Sequence, residues 1–133
     1  SDSVHRRMKY LQFAPIITVS AVTGQRVSKL FEMIRQAHEG RGLRIPTGVL
    51  NHLFVPDLTA RLQEHNPARK LEIRYITQAS VGPPTFVVFL AGRTPLHFST
   101  ERYLRNQLRE RFAFYATPIR ILQRIKRPRA SRK

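Results

Sequence analysis

The chain has 133 residues, 41% of them hydrophobic and none of them cysteine. That length supports one modest domain, or a small domain with a piece of another, and the lack of cysteine excludes disulfides, thiolate metal sites and cysteine nucleophiles. With 24 Lys+Arg against 8 Asp+Glu the formal charge is +16 at pH 7, a self-repulsion that a polyanionic partner relieves, so nucleic acid is the first candidate partner.

Residues 1–12 read as a short helix, with Val4, Met8 and Leu11 on one face. Residues 14–19 follow as a short apolar strand, and Ser20, Ala21, Val22, Thr23 and Gly24 form a tight loop. A second helix starts near Gln25 and runs to His38, with Val27, Leu30, Phe31, Ile34 and Ala37 at helical spacing. Helix, strand, loop, helix is the grammar of a doubly wound α/β sheet. One parallel strand cannot bury itself, so residues 1–39 read as the end of a larger domain, with the boundary at residues 40–45.

From residue 46 the pattern changes. Thr47 caps a helix that Pro56 is expected to break, giving pieces over 48–54 and 56–64. Residues 70–78 alternate and read as a strand, residues 80–84 as a turn, and residues 85–91 as a second strand. Phe86, Val87, Val88, Phe89 and Leu90 are continuously apolar, so both faces of that strand are expected to be covered. A helix over 99–112 starts at Ser99 as N-cap, with Phe98 and Tyr103 as a hydrophobic staple. Leu104, Leu108 and Phe112 form its buried stripe, and Arg102, Arg105 and Arg109 a cationic stripe about a quarter-turn away at ~100° per residue. In the last strand Ile119, Ile121 and Ile125 take one face, with Arg120, Arg124 and Lys126 on the other. Residues 127–133 read as a disordered basic tail. The order is α-β-β-α-β, an α+β fold with a three-stranded sheet.

No self-sufficient active site emerges. There is no phosphate-binding loop of the Gly-x-x-x-x-Gly-Lys-Ser/Thr type, and His5, His38, His52, His65 and His97 lack paired metal-ligand spacing. The carboxylates sit beside Lys or Arg and suit ion pairing. Two constellations remain. The loop from Ser20 to Gly24 lies where open α/β sheets bind ligands, although a turn of this kind needs small polar residues in any case. The arginines are the other: the stripe Arg102, Arg105 and Arg109, the strand face Arg120, Arg124 and Lys126, and Arg69, Lys70 and Arg74 near the opposite face. Arginine pairs with phosphate through a bidentate fork, which suits RNA. The basic residues are spread along the fold, not gathered beside an apolar anchor, so a membrane surface fits less well. A merely soluble basic domain is the remaining alternative.

The run from Ser20 to Val27, Ser-Ala-Val-Thr-Gly-Gln-Arg-Val, resembles the fifth guanine-nucleotide motif of bacterial Era-like GTPases, in the form seen in the EngA/Der family. Arg44-Ile-Pro-Thr-Gly48 with Leu50-Asn51, Pro83-Pro-Thr-Phe86, His97-Phe-Ser with Glu101, Arg102, Tyr103 and Leu104, then Asn106-Gln-Leu-Arg109 and Thr117-Pro-Ile-Arg120 resemble that family's C-terminal KH-like domain. The resemblance runs from about residue 14 to residue 126. It implies three parts: residues 1–39, the β-α remnant of a second P-loop GTPase domain; residues 40–126, the KH-like domain; and residues 127–133, the tail. Ser20 and Ala21 would recognise the guanine base, chiefly through backbone N–H, in the intact GTPase domain only. GTP or GDP, with Mg held outside this segment, would be bound by the longer protein, and no cofactor is expected for this segment alone.

The resemblance further implies a cytoplasmic GTPase acting in maturation of the large ribosomal subunit. This segment would be a monomer that contacts ribosomal RNA and docks on the GTPase domains of its own protein, with no membrane partner. The alternative is an intramolecular regulatory module that senses nucleotide state without touching RNA. Pro56 departs from that family's pattern, since it lies inside what the family builds as one helix. The chain has no Gly-x-x-Gly, the loop with which RNA-binding KH domains clamp the backbone; this is consistent with the family but excludes the usual KH binding mode. Any RNA contact would therefore come through the arginines or through docking against the GTPase domains.

Overall fold

The computed structural model describes residues 2–65, 71–92 and 94–126. Its elements are α1 (Asp2–Arg7), a 3-10 turn (Lys9–Leu11), α2 (Val27–Arg41), α3 (Thr47–His65), β1 (Glu72–Ser80), β2 (Thr85–Ala91), α4 (Phe98–Arg111) and β3 (Arg120–Lys126). From α3 onward this is the expected α-β-β-α-β order. The sheet order is β1-β2-β3, with β2 antiparallel to β1 and parallel to β3. Arg69, Lys70 and the expected tail lie outside the described residues.

Strand pairing fixes the two faces of the sheet. Ile73, Ile76 and Gln78 on β1 lie level with Leu90, Val88 and Phe86 on β2. Ile125, Gln123 and Ile121 on β3 continue those rows. This inner face packs against Leu50, Phe54 and Leu58 of α3 and Leu104 and Leu108 of α4, all buried. At ~25 cal/mol per Å² of apolar surface removed from water, these side chains dominate the folding free energy. The outer face, by contrast, is open at Tyr75 (44% exposed) and Leu122 (37% exposed). The continuous apolar run of β2 reflects its central place between two strands, not a covering layer on each face.

Side-chain amides, one of them buried, lock the elements together. Gln78, 5% exposed, accepts from Ile45 N at 2.7 Å and donates to Leu43 O at 2.8 Å. Asn51 on α3 donates to Ile76 O at 3.0 Å and accepts from Ile76 N at 2.8 Å, so its side chain acts as a strand partner on the edge of β1. Gln123 accepts from Leu96 N at 2.8 Å and donates to Glu101 at 3.0 Å, fixing β3 to the start of α4.

Four local expectations are corrected. Residues 14–19 form no strand, because a strand exists only where a neighbour takes its N–H and C=O groups and none does so there. Pro56 does not split α3, which is continuous through it. Pro56 and His52 are both exposed, so the proline lies on the solvent side of the helix, away from its packed face. The N-cap of α4 is His97, whose Nδ1 accepts from Ser99 N at 3.2 Å; Ser99 lies inside the helix. No staple forms, since Phe98 is 67% exposed while Tyr103 turns to α3, where its hydroxyl donates to Asp57 at 2.5 Å.

Candidate nucleic-acid interface

The two arginine groups singled out in the sequence occupy different surfaces. Arg102, Arg105 and Arg109 follow one side of α4, as their spacing requires. They line a cleft of about 670 Å³ with Lys9, Tyr10 and Phe13. Their donors are unequally committed. Arg105 donates to Ile119 O at 3.2 Å and to Glu101 at 3.1 Å. Arg109 donates to Thr117 O at 2.8 Å and Phe114 O at 3.2 Å, and its guanidinium sits 5.0 Å from the centre of the Phe13 ring. Burial, with Arg105 nearby, draws the Arg109 pKa down from the usual arginine range. Arg102 is exposed and lies 5.8 Å from the Phe98 ring.

The other group lies on the outer face of the sheet. Arg120, Arg124 and Lys126 alternate along β3 and are exposed, as the period of 2 dictates. The register puts Arg124 beside Phe89 and Lys126 beside Ala91. On the other side of β2, Tyr75 lies level with Phe89. These two rings stack with centroids 4.3 Å apart and planes 13° from parallel. A register shift between Ile73 and Tyr75 leaves Arg74 as the extra residue of β1. Bulges of this kind re-aim side chains at functional edges. Arg74, Tyr75, Phe89, Arg124 and Lys126 line an open groove of about 650 Å³. Across the three strands the sole carboxylate is Glu72, 4.0 Å from Arg74.

Sequence reasoning found Arg120, Arg124 and Lys126 on this face, but it set Arg74 near the opposite face and missed Tyr75 and Phe89. Tyr75 belonged to an alternating strand whose outward face was legible, yet Phe89 lay in a run that concealed its direction. Pairing of the two strands reveals the ring stack.

The loop of Ser20 and Ala21 is tightly turned. Ser20 N donates to Gln25 O at 3.2 Å, and Thr23 N donates to the Ser20 hydroxyl at 3.3 Å. Ala21 and its neighbours through Arg26 are exposed. The helix that follows, α2, shows Phe31 and Ile34 to solvent, 67% and 55% exposed. Its C-terminal end seats on the later residues: Arg41 donates to Gly82 O at 2.8 Å and accepts from Gly82 N at 3.0 Å. A Cβ at Gly40 would stand 2.8 Å from Ala113 O. Several of the carboxylates are ion-paired as expected: Glu32 and Glu39 with Arg35, and Glu101 with Arg105. Hydrogen bonding to Arg35 holds the Glu32 carboxyl below its ordinary range. Among the described residues no three His, Asp or Glu come together as a metal site, and no helix is long and apolar enough to cross a membrane.

A family model described as the KH-domain-like C-terminal region of EngA bacterial GTPase enzymes matches residues 44–124. The chain is 45% identical over 123 residues to GTPase Der of Lactobacillus johnsonii and 42% identical over 125 residues to GTPase Der of Acetivibrio thermocellus. It is 41% identical over 123 residues to GTPase Der of Streptococcus pneumoniae. These matches take in 92%, 93% and 92% of the chain but 28% of each relative, so the chain spans about a quarter of their length.

Proposed function

Because the chain belongs to the family of KH-domain-like regions at the C-terminus of EngA bacterial GTPase enzymes, we propose that it is the RNA-contacting part of a GTPase that acts in assembly of the large ribosomal subunit. The observation that carries this reading is the outer sheet face. Arg74, Arg120, Arg124 and Lys126 stand there with one carboxylate among the three strands. Phosphate contacts neutralise such a face and release condensed counterions, which makes affinity fall with salt. Ribosomal RNA is the polyanion that the family's role supplies.

Docking on the GTPase domains is the second role, favoured by the cleft of α4. Its arginines line it together with Lys9, Tyr10 and Phe13 of the N-terminal segment, Arg109 lies over the Phe13 ring, and Arg105 and Arg109 bond backbone carbonyls beside it. We assign residues 1–39 to the end of the second GTPase domain. Phe31 and Ile34 of α2 would then pack against the rest of that domain, and Ser20 and Ala21 would meet the guanine base of GTP or GDP there. The sheet face serves RNA and the α4 cleft serves docking.

Titration of structured ribosomal RNA across salt tests the division. Each phosphate contact contributes roughly 0.7–0.9 to the slope of log affinity against log salt. Replacing Arg120, Arg124 and Lys126 by Gln is expected to lower that slope by about two to three. An unchanged slope in the folded variant overturns the assignment of RNA to this face.

A further inference from the structure

We propose that the outer sheet face binds unpaired nucleobases, stacking them on the Tyr75–Phe89 pair, and so selects single-stranded RNA over duplex. This rests on the RNA reading above and adds the form of the ligand.

Three features converge on the same few residues. The first is an aromatic surface in the open: Tyr75 is 44% exposed, and its ring is parallel to Phe89 within 13°. A cross-strand aromatic pair stabilises a sheet by itself, but that role does not require cations around it. The second is the row that pairing creates. Tyr75, Phe89 and Arg124 lie level across the three strands, ring, ring and guanidinium. Planar bases stack on aromatic rings and on arginine planes alike. The third is space. In the next row on this face Ala91 stands between Glu72 and Lys126, so no bulky side chain rises there at the centre of the sheet. The groove of about 650 Å³ falls within the usual range of small-ligand sites and has room for a base with its ribose. Lys126 and Arg74 flank it, placed for the phosphates on either side.

Duplex RNA cannot use this arrangement. Its bases are stacked inside an A-form helix whose deep groove excludes side chains. A single strand can splay a base onto the rings while its backbone follows the cations, the combination used by sequence-tolerant single-strand binders. With no Gly-x-x-Gly in the chain, backbone clamping of the usual KH type is replaced here by stacking.

The experiment uses the full chain and three fluorescein-labelled RNAs of equal charge: a single-stranded oligoadenylate, the same strand with abasic riboses at its centre, and a hairpin duplex. Wild-type protein is expected to bind the oligoadenylate about tenfold or more tighter than the abasic strand, and tighter than the hairpin. Tyr75→Leu removes that preference while the salt slope stays constant; Tyr75→Phe restores it. Arg124→Gln lowers the salt slope. Equal affinity for based and abasic strands overturns the stacking proposal and leaves the RNA reading standing. A preference that persists in folded Tyr75→Leu also overturns stacking on this pair. Failure to bind any of the three at low salt sinks both.

Discussion

Arg102 and Arg109 have the same charge and neighbouring places on one helix, yet the structure assigns them different work. Arg109 satisfies two backbone carbonyls at the turn that leads into β3. Arg102 is exposed and holds no such bond among the described residues. Arg109→Gln is expected to destabilise the fold by about 1–3 kcal/mol, as loss of charge-assisted bonds does, visible as a lower urea midpoint. Arg102→Gln is expected to leave that midpoint within about 0.5 kcal/mol. Equal midpoints for the two variants would show that the carbonyl bonds contribute nothing. Tyr103 provides a pH test. The hydrogen bond to Asp57, aided by burial, raises its pKa above the usual value. A raised folded pKa means that the protonated phenol is favoured in the fold. Its contribution is fully present below about pH 10 and is lost as pH rises through the folded value. The stability gap between wild type and Tyr103→Phe should therefore narrow above about pH 10. A gap that is flat from pH 7 to 11 argues against this bond.

At the scale of elements, α3 is the instructive case. Proline inside a helix removes a hydrogen bond and its ring crowds the preceding turn, a cost of ~3 kcal/mol relative to alanine in a helix interior. The sequence therefore predicts a break at Pro56. The helix persists because its other face is anchored: Leu50, Phe54 and Leu58 are fully buried, and Asn51 is bonded to both polar groups of Ile76. Tertiary packing outweighs the local penalty. Pro56 is exposed, so Pro56→Ala removes no core contact and should raise stability by up to ~3 kcal/mol, less whatever the proline saves in unfolded-chain entropy. Thermal denaturation checks this, and a lower midpoint would contradict it. Residues 14–19 show the converse. Their apolar pattern is sound for a strand, but pattern alone forms no strand without a partner.

For the whole molecule, the buried cluster begins at Ile45 and contains no residue before it. Residues 2–41 meet the later residues at the end of α2, where Arg41 bonds Gly82, and in the cleft of α4, where Phe13 lies under Arg109. Deleting residues 1–38 is expected to preserve cooperative urea unfolding, with a midpoint shift worth no more than about 1 kcal/mol. Loss of cooperativity would mean that the N-terminal segment is part of the core. The deletion would also remove the exposed Phe31 and Ile34, which the proposed docking would cover, and should improve solubility of the isolated chain.

The order of elements from α3 onward, the buried stripe of Leu104 and Leu108, and the outward direction of Arg120, Arg124 and Lys126 are legible in the residue pattern alone. These follow from periods of 3.6 and 2, which are local properties of the backbone. The sequence also carried the family signature. Part of that signature is explained by contacts: Asn51 pairs with Ile76, Ile45 N donates to Gln78, and Pro84 O accepts from Arg120 N at 2.9 Å. Only the tertiary structure decided which arginines are held by carbonyls, that α3 runs through Pro56, and that Tyr75, Phe89 and Arg124 form one row. Each of these depends on strand register or on a neighbour distant in the chain. Spacing along a sequence says where a side chain points, and packing alone says what it meets.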